Sequence, residues 1–127
     1  MPHPLITEAD VQTLTNQEIL AISQDALGQQ AEYMEALSTG TTDYSPSGYD
    51  VFVKDLTDSR IAVSITNRAT SAASVPAIPL TAIYLKANTR YICREIWSQT
   101  EGEIENTLNV GSLNPCETRV YVLSKKE

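Results

Sequence analysis

The chain of 127 residues is short of histidine, cysteine and positive charge, and each shortage excludes a class of protein. One histidine, His3, and two cysteines, Cys93 and Cys116, lack the number and spacing that a zinc site needs. Nine basic against sixteen acidic residues give a net charge of −7, which argues against a nucleic-acid partner. No apolar run approaches the ~20 residues of a membrane-spanning helix. We therefore expect no nucleic-acid, membrane or cofactor binding.

The beginning of the chain also lacks the charged start and apolar centre of a signal peptide. We therefore expect no export signal in this sequence, which is compatible with its being a piece of a longer, secreted protein. What it does contain is ordinary for a globular domain, with 42% hydrophobic and 20% charged residues. Its length suits one domain with a single core.

The first thirty residues have the pattern of short helices. Two segments, Thr7–Asp10 and Thr15–Glu18, fit the capping box, in which a threonine and an acid three residues later satisfy backbone N–H groups at a helix start. They predict helices over residues 8–13 and 16–23. Neither is long enough to be stable alone in water, so both need a surface to pack on.

From about residue 30 the pattern is that of strands. Residues 50–54 and 60–66 alternate between apolar and polar side chains, and the short turn 57–59 joins them as a hairpin without the usual glycine. Further strands are expected over 31–37, 73–78, 90–96, 104–110 and 118–124, of which 31–37 also suits a helix. Short strands without intervening helices predict an antiparallel β-sandwich.

Residues 14–28, L-T-N-Q-E-I-L-A-I-S-Q-D-A-L-G, resemble a known signature. It lies at the barrel–sandwich junction of α-galactosidases of glycoside hydrolase family 27, which read L-(T/S)-N-x-E-(V/I)-I-A-(I/V)-N-Q-D-P-L-G. Two positions depart from it, since Ser23 replaces the usual asparagine and Ala26 the usual proline.

Later segments are similar to the same family. They are V-F-V-K-D-L-T-D at 51–58, I-A-V-S-I-T-N-R at 61–68 and R-E-I-W-S at 94–98. Near the final strand Cys116-Glu117 replaces the H-G pair of the family. The resemblance therefore covers nearly the whole chain.

The resemblance implies a mainly β fold, an antiparallel Greek-key β-sandwich preceded by one or two short α-helices. It implies that residues 1–29 are a helical remnant of a (β/α)8 barrel and that residues 30–127 are the C-terminal β-sandwich domain. The parent activity is the retaining hydrolysis of terminal α-D-galactosides, which needs two carboxylates about 5 Å apart. In the family both lie upstream of the segments found here. The resemblance thus assigns no catalytic residue to this chain.

The implied partner is the barrel domain of the parent enzyme, and the galactoside substrate is reached only through that parent. An apolar stripe through Ile19 and Ile22 is expected to dock there and to be exposed in the isolated chain, which favours self-association. Two alternatives stay open. One is a stand-alone carbohydrate-binding module that uses Trp97 and the tyrosines, and the other is a small enzyme that uses Cys93 or Cys116.

Several acids and the histidine invite a functional interpretation beside a structural one. Asp25 is a candidate catalytic acid, but it has no partner carboxylate at a defined spacing, so a hydrogen-bonded helix exit is favoured. The series Glu101, Glu103 and Glu105 suits either a calcium site or, as we prefer, a charged sheet edge. His3 near the terminus has no orienting group for catalysis with a cysteine.

The aromatic residues and the cysteines leave similar choices. Trp97, Tyr84 and Tyr91 form either a sugar-stacking platform or, as we favour, a core in which Trp97 caps the sandwich. A second possible platform consists of Tyr33, Tyr44 and Tyr49. The two cysteines are either bonded to each other across neighbouring strands or, as we favour, two buried thiols.

Overall fold

A computed structural model describes residues 8–24, 31–34, 37–38 and 48–126. The helix α1 (Glu8–Ser23) is followed by a mainly β region that also contains the 3-10 helix Leu80–Ile83. The strands are β1 (Glu32–Tyr33), β2 (Tyr49–Asp55), β3 (Ile61–Asn67), β4 (Ala73–Val75), β5 (Ile78–Pro79), β6 (Arg90–Glu95), β7 (Thr100–Glu105), β8 (Thr107–Leu108), β9 (Gly111–Leu113) and β10 (Thr118–Lys125). Within these ranges no helix is long and apolar enough to cross a membrane.

The helical lead-in is a single helix, so the predicted break between residues 13 and 16 is wrong. Thr15 lies in the middle of α1 rather than at a helix start, and its hydroxyl bonds to the carbonyl oxygen of Ile96. No glycine or proline interrupts the segment, and the backbone N–H groups after Thr15 lie inside a continuous helix, where carbonyls four residues earlier accept from them, so no cap is needed. The first capping box and the expected domain boundary at residues 29 and 30 include residues outside the described ranges.

The predicted hairpin is confirmed as β2 and β3, paired antiparallel from Tyr49 with Asn67 to Asp55 with Ile61. The turn between them works without glycine because Asp58 and Ser59 both adopt the left-handed conformation, with φ of 63° and 59°. Two consecutive residues with positive φ are the requirement of the type I′ turn, whose twist matches that of the flanking strands.

Other strand predictions hold in part. Among the described residues of the expected strand 31–37, the two of β1 are paired, and the expected strand 73–78 is divided into β4 and β5. The expected strand 104–110 is wrong in its bounds. Strand β7 ends at Glu105, and Asn106, with φ of 69°, separates it from β8. The strands over 90–96 and 118–124 are confirmed as β6 and β10, whereas β9 was not anticipated.

The main layer is an antiparallel six-stranded sheet in the order β1-β2-β3-β10-β6-β7. The last strand thus lies between the third and the sixth, a non-sequential order of the Greek-key kind. The facing layer consists of two small pairs, β4 with β9 and β5 with β8, together with the 3-10 helix. This mainly β, antiparallel sandwich agrees with the predicted fold class.

The core fills the space between the two layers. Alternate residues of the main sheet point inwards, as the period of two requires. Those from the sheet are Val51, Val53, Ile61, Val63, Ile65, Tyr91, Cys93, Tyr121 and Leu123, and those from the facing layer are Val75, Ile78, Leu80, Ile83, Leu108, Val110 and Leu113. The opposite, outer face of the main sheet carries α1.

Candidate functional site

Helix α1 is fixed to the outer face of the main sheet by polar contacts at several points. Thr15 is 1% exposed, and its hydroxyl donates to the carbonyl oxygen of Ile96 at 3.4 Å. Near the other end of the helix, the ammonium group of Lys54 donates to the carbonyl oxygen of Ile22 at 2.7 Å. A cation is favoured there because the helix dipole places partial negative charge at the last carbonyl groups.

A charged network joins the middle of α1 to strand β6 and the following turn. Arg94 donates through Nε to Glu18 Oε1 at 2.8 Å, and its Nη2 lies 2.8 Å from the same oxygen. The side-chain amide of Gln99 donates to Glu18 Oε2 at 2.7 Å and to the carbonyl oxygen of Ile96 at the same distance. Both charged side chains are about two-thirds shielded, so solvent screens the pair only in part. These bonds thus hold the helix against strand β6 and the turn that follows it.

The exposed apolar residues of α1 are not those expected from the sequence. Ile19 and Ile22 are both half-buried. Ile22 lines a crevice between the helix and the main sheet. Leu14 and Leu20 are instead exposed, at 41% and 54%. The predicted exposed stripe is therefore wrong in its members, although α1 does present apolar side chains away from the sheet.

Trp97 lies in the tight turn between β6 and β7 and is 45% exposed, so the prediction that it caps the core is wrong. The neighbouring Ile96, 1% exposed, takes the buried position. The indole borders an open depression of about 490 Å³ that is otherwise lined by polar and aromatic side chains. The lining residues are Glu95, Trp97, Ser98, Glu117, Arg119 and Tyr121.

The polar wall of this depression is held in place by Arg119. Its guanidinium donates to the carbonyl oxygens of Val110 at 2.8 Å and Ser112 at 3.2 Å. It also donates to Glu117 Oε2 at 3.0 Å and lies 3.6 Å from Glu95 Oε1. Both carboxylates are therefore fixed in orientation beside the exposed indole.

Each of these carboxylates has a second anchor. Glu95 Oε2 accepts from the backbone N–H and the hydroxyl of Ser98, at 2.6 and 2.9 Å. Glu117 Oε1 accepts from the backbone N–H of Asn114 at 2.7 Å. Partial burial raises the pKa of the Glu117 carboxyl, but the bonds from Asn114 and Arg119 outweigh it and leave that pKa below its ordinary value. This carboxylate is thus charged at neutral pH.

The tyrosines do not join Trp97 in one platform. Tyr91 is buried, and its hydroxyl accepts from the backbone N–H of Lys86 at 2.9 Å. Tyr84 is 62% exposed, and its hydroxyl donates to Glu32 Oε2. Glu32 belongs to β1, which forms one edge of the main sheet, whereas β7 forms the other. Tyr33 packs against Phe52 with ring centroids 5.3 Å apart, whereas Tyr49 packs against the core. Tyr44 lies outside the described residues.

The acidic residues singled out in the sequence lie apart from Trp97 or outside the described residues. Glu101, Glu103 and Glu105 all lie exposed on β7, an edge strand, so the interpretation as a charged sheet edge is confirmed. Glu103 Oε2 accepts from Lys126 at 2.7 Å. In the described part of the chain no group of three metal-binding side chains is found. Asp25 and His3 lie outside it.

Both cysteines are free, so the disulfide is excluded in this structure. Cys93 pairs with Leu123 of β10, whereas Cys116 lies in the turn before β10. Cys116 precedes Leu123 by seven residues, which is roughly 20 Å along an extended chain. Cys93 is buried as expected, and burial followed by the charge of Glu95 raises its pKa to about 11. Cys116 is exposed, so the prediction of two buried thiols is wrong for this residue.

These environments predict unequal thiol reactivity. At pH 8 a disulfide reagent should label Cys116 in the native protein within minutes, and Cys93 only after unfolding, since the thiolate is the reactive form. Counting released chromophore before and after urea addition measures this, with Cys116→Ser as the matched variant. Fast native labelling of Cys93 would instead indicate an activated thiol and revive the cysteine-enzyme alternative.

Comparison with known proteins places this geometry in context. A family profile described as the alpha galactosidase C-terminal beta sandwich domain matches residues 46–123. The chain is 34% identical over 118 residues to the probable α-galactosidase A of Aspergillus terreus, covering 93% of this chain and 20% of that protein. The chain thus spans about a fifth of this relative's length.

Solved structures share the fold at lower sequence identity. The α-galactosidase I of Mortierella vinacea superposes with a TM-score of 0.71 and 18% identity, over 94% of this chain and 29% of that one. A family 27 β-L-arabinopyranosidase from Geobacillus stearothermophilus gives a TM-score of 0.69, also at 18% identity, over 95% of this chain and 25% of that one. At such identity the likeness shows the fold alone.

Proposed function

Since this chain belongs to the family of α-galactosidase C-terminal β-sandwich domains, we propose that it is the non-catalytic C-terminal part of an α-galactosidase-type glycoside hydrolase. The activity of the whole enzyme is the hydrolysis of terminal α-D-galactosides. In this proposal both carboxylates of that reaction belong to a barrel domain, and none belongs to this chain. Residues 1–29 are the last helical part of the barrel, and residues 30–127 are the sandwich that braces it.

The observation that carries this proposal is the position of α1. The helix is fixed to the sandwich through Thr15, Glu18 and the Ile22 carbonyl, and it exposes Leu14 and Leu20 on its other sides. A helix with apolar residues on both the packed and the solvent sides is typical of an element between two bodies. It therefore suits a junction between the sandwich and a further domain.

The partner for the exposed leucines is, in this proposal, the catalytic barrel. The Aspergillus relative has four-fifths of its length outside the region that the chain covers, enough for a domain of barrel size. Burying a fully exposed leucine side chain contributes about 2 kcal/mol, and Leu14 and Leu20 are about half-exposed, so burying what remains of both contributes about 2 kcal/mol to docking of a barrel.

A graft tests the proposal. In it, this chain replaces the matching C-terminal fifth of the Aspergillus relative, and soluble hydrolysis of p-nitrophenyl α-D-galactoside is measured. We expect the graft to be active and the double change Leu14→Asp with Leu20→Asp to lower soluble activity at least tenfold, because docking loses about 2 kcal/mol. The matched control is Thr81→Asp, exposed on the facing layer. Equal activity of the leucine variant and the control would reject α1 as the junction.

A further inference from the structure

A continuous groove runs along one side of the sandwich, from Trp97 towards the β7 edge. It consists of the depression beside Trp97, of about 490 Å³, and an adjoining one of about 300 Å³ that shares Glu95 and Tyr121 with it. The second part is lined by apolar side chains, Ile104 and Leu108, with Asn109 and Gly102 at its wall. We refer to the two together as the edge groove. Each part has the size of a small-ligand pocket, about 300–1,000 Å³.

The groove combines the two kinds of surface that a sugar ring needs. The half-exposed indole of Trp97 offers a flat apolar face, on which the C–H face of a pyranose can stack. Beside it, the carboxylates of Glu95 and Glu117 are held by Arg119 and by backbone N–H groups, with oxygen lone pairs left for ligand hydroxyls. Because these acceptors are fixed before binding, little ordering of side chains opposes association.

The charge of the groove selects among polar ligands. Its walls carry the carboxylates of Glu95 and Glu117 against one base, Arg119, so anionic saccharides are disfavoured. The guanidinium already bonds to two carbonyl oxygens and lies against both carboxylates, which leaves it poorly placed to recognise a phosphate or sulfate. A neutral saccharide fits this combination.

The edge groove and α1 use opposite faces of the main sheet. Cys93 and Tyr121 line the groove and point to the inner face. The next residue on each strand, Arg94 on β6 and Val122 on β10, faces the helix. Alternation along the strand enforces this separation. The proposed contact of a barrel with α1 therefore does not itself use the groove residues.

We propose that the edge groove is a saccharide-binding site for neutral, galactose-bearing oligosaccharides. The choice of galactose-bearing ligands rests on the proposed function, whereas the neutral saccharide class rests on the groove itself.

The single tryptophan of the chain makes the test direct, because Trp97 emission reports on this site alone. Titration of the 127-residue chain with raffinose should give a saturable emission change with a midpoint on the order of 1 mM. Gly102→Leu should weaken binding at least tenfold, since it projects a side chain into the groove where an added Cβ meets no atom within 4 Å. Tyr84→Ala, an exposed aromatic outside the groove, should leave the midpoint unchanged.

Calorimetry with Trp97→Ala should show no raffinose binding by a protein whose circular dichroism is unchanged. A flat titration of the parent chain with both raffinose and galactomannan oligosaccharides overturns the proposal. So does an equal loss in the Gly102 and Tyr84 variants, which would place the ligand elsewhere. An active graft with a flat titration rejects the groove alone, and an inactive graft with a saturable titration rejects the junction alone.

Discussion

Replacing Asn67 by alanine should lower the free energy of unfolding by about 3 kcal/mol, a large part of the stability of a domain this size. The side chain is completely buried and joins three parts of the chain. Its amide nitrogen donates to the carbonyl oxygens of Ser71 and Asn114 at 2.9 and 3.0 Å, and its oxygen accepts from the Ala69 N–H at 3.0 Å. Truncation leaves these backbone groups without their partner, and each lost bond costs about 1 kcal/mol.

Urea unfolding followed by circular dichroism measures the effect of Asn67→Ala. Asn109→Ala is the matched control, because Asn109 is exposed and should change stability by less than about 0.5 kcal/mol. Asn67→Asp should also destabilise, since a carboxylate cannot donate to the two carbonyl oxygens. A loss below about 1 kcal/mol for both Asn67 variants would mean that the loop 68–71 and the turn before β10 are held by other contacts.

Replacing Leu80 by alanine should cost a further, independent 3 kcal/mol or so, within the range of leucine truncations in protein cores. The facing layer has little backbone pairing of its own, with three residue pairs between β4 and β9 and two between β5 and β8. Side chains such as Leu80, which is 0% exposed, must therefore hold this layer on the main sheet. The cavity left by truncation cannot be filled by neighbouring backbone.

The neighbouring Thr81→Ala is the control for this second prediction, since Thr81 is exposed on the same 3-10 helix. Thermal and urea unfolding should place it within about 0.5 kcal/mol of the parent chain. If Leu80→Ala proved as mild as Thr81→Ala, the facing layer would not be packed as described.

Local patterns predicted the elements that local geometry decides. The hairpin of β2 and β3 follows from alternation, because successive side chains of a strand must point to opposite faces. The composition of the all-β region likewise indicated an antiparallel sandwich. The resemblance at residues 14–28 and in the later segments supplied the family, which the profile match over residues 46–123 confirms.

Contacts between distant residues decided the features that the sequence did not reveal. The capping box at Thr15 was misleading because its hydroxyl bonds to Ile96, 81 residues away. Hydrophobicity alone placed Trp97 in the core, but the turn after β6 gives the buried position to Ile96. The sequence around Asn67 does not indicate that it is buried. One of the carbonyl oxygens to which its amide donates belongs to Asn114, 47 residues away.

Among the residues of the groove, the sequence pointed to Trp97 alone as a sugar-binding candidate. Trp97 was recognised as a candidate for sugar stacking, but the tyrosines grouped with it lie elsewhere or in the core. The residues that complete the site, Glu95, Glu117 and Arg119, come from a strand end, a turn and the final strand. Only the pairing of β10 with β6 brings them together, so their proximity depends on the Greek-key order.

The most direct test of the central claim is the hydrolysis of p-nitrophenyl α-D-galactoside by the purified, folded 127-residue chain. We expect no turnover above buffer, because the proposed function assigns both reacting carboxylates to a barrel domain and none to this chain. Folding is verified on the same sample by cooperative urea unfolding. Turnover that is abolished by Asp25→Asn would contradict the account and place an active site within this chain.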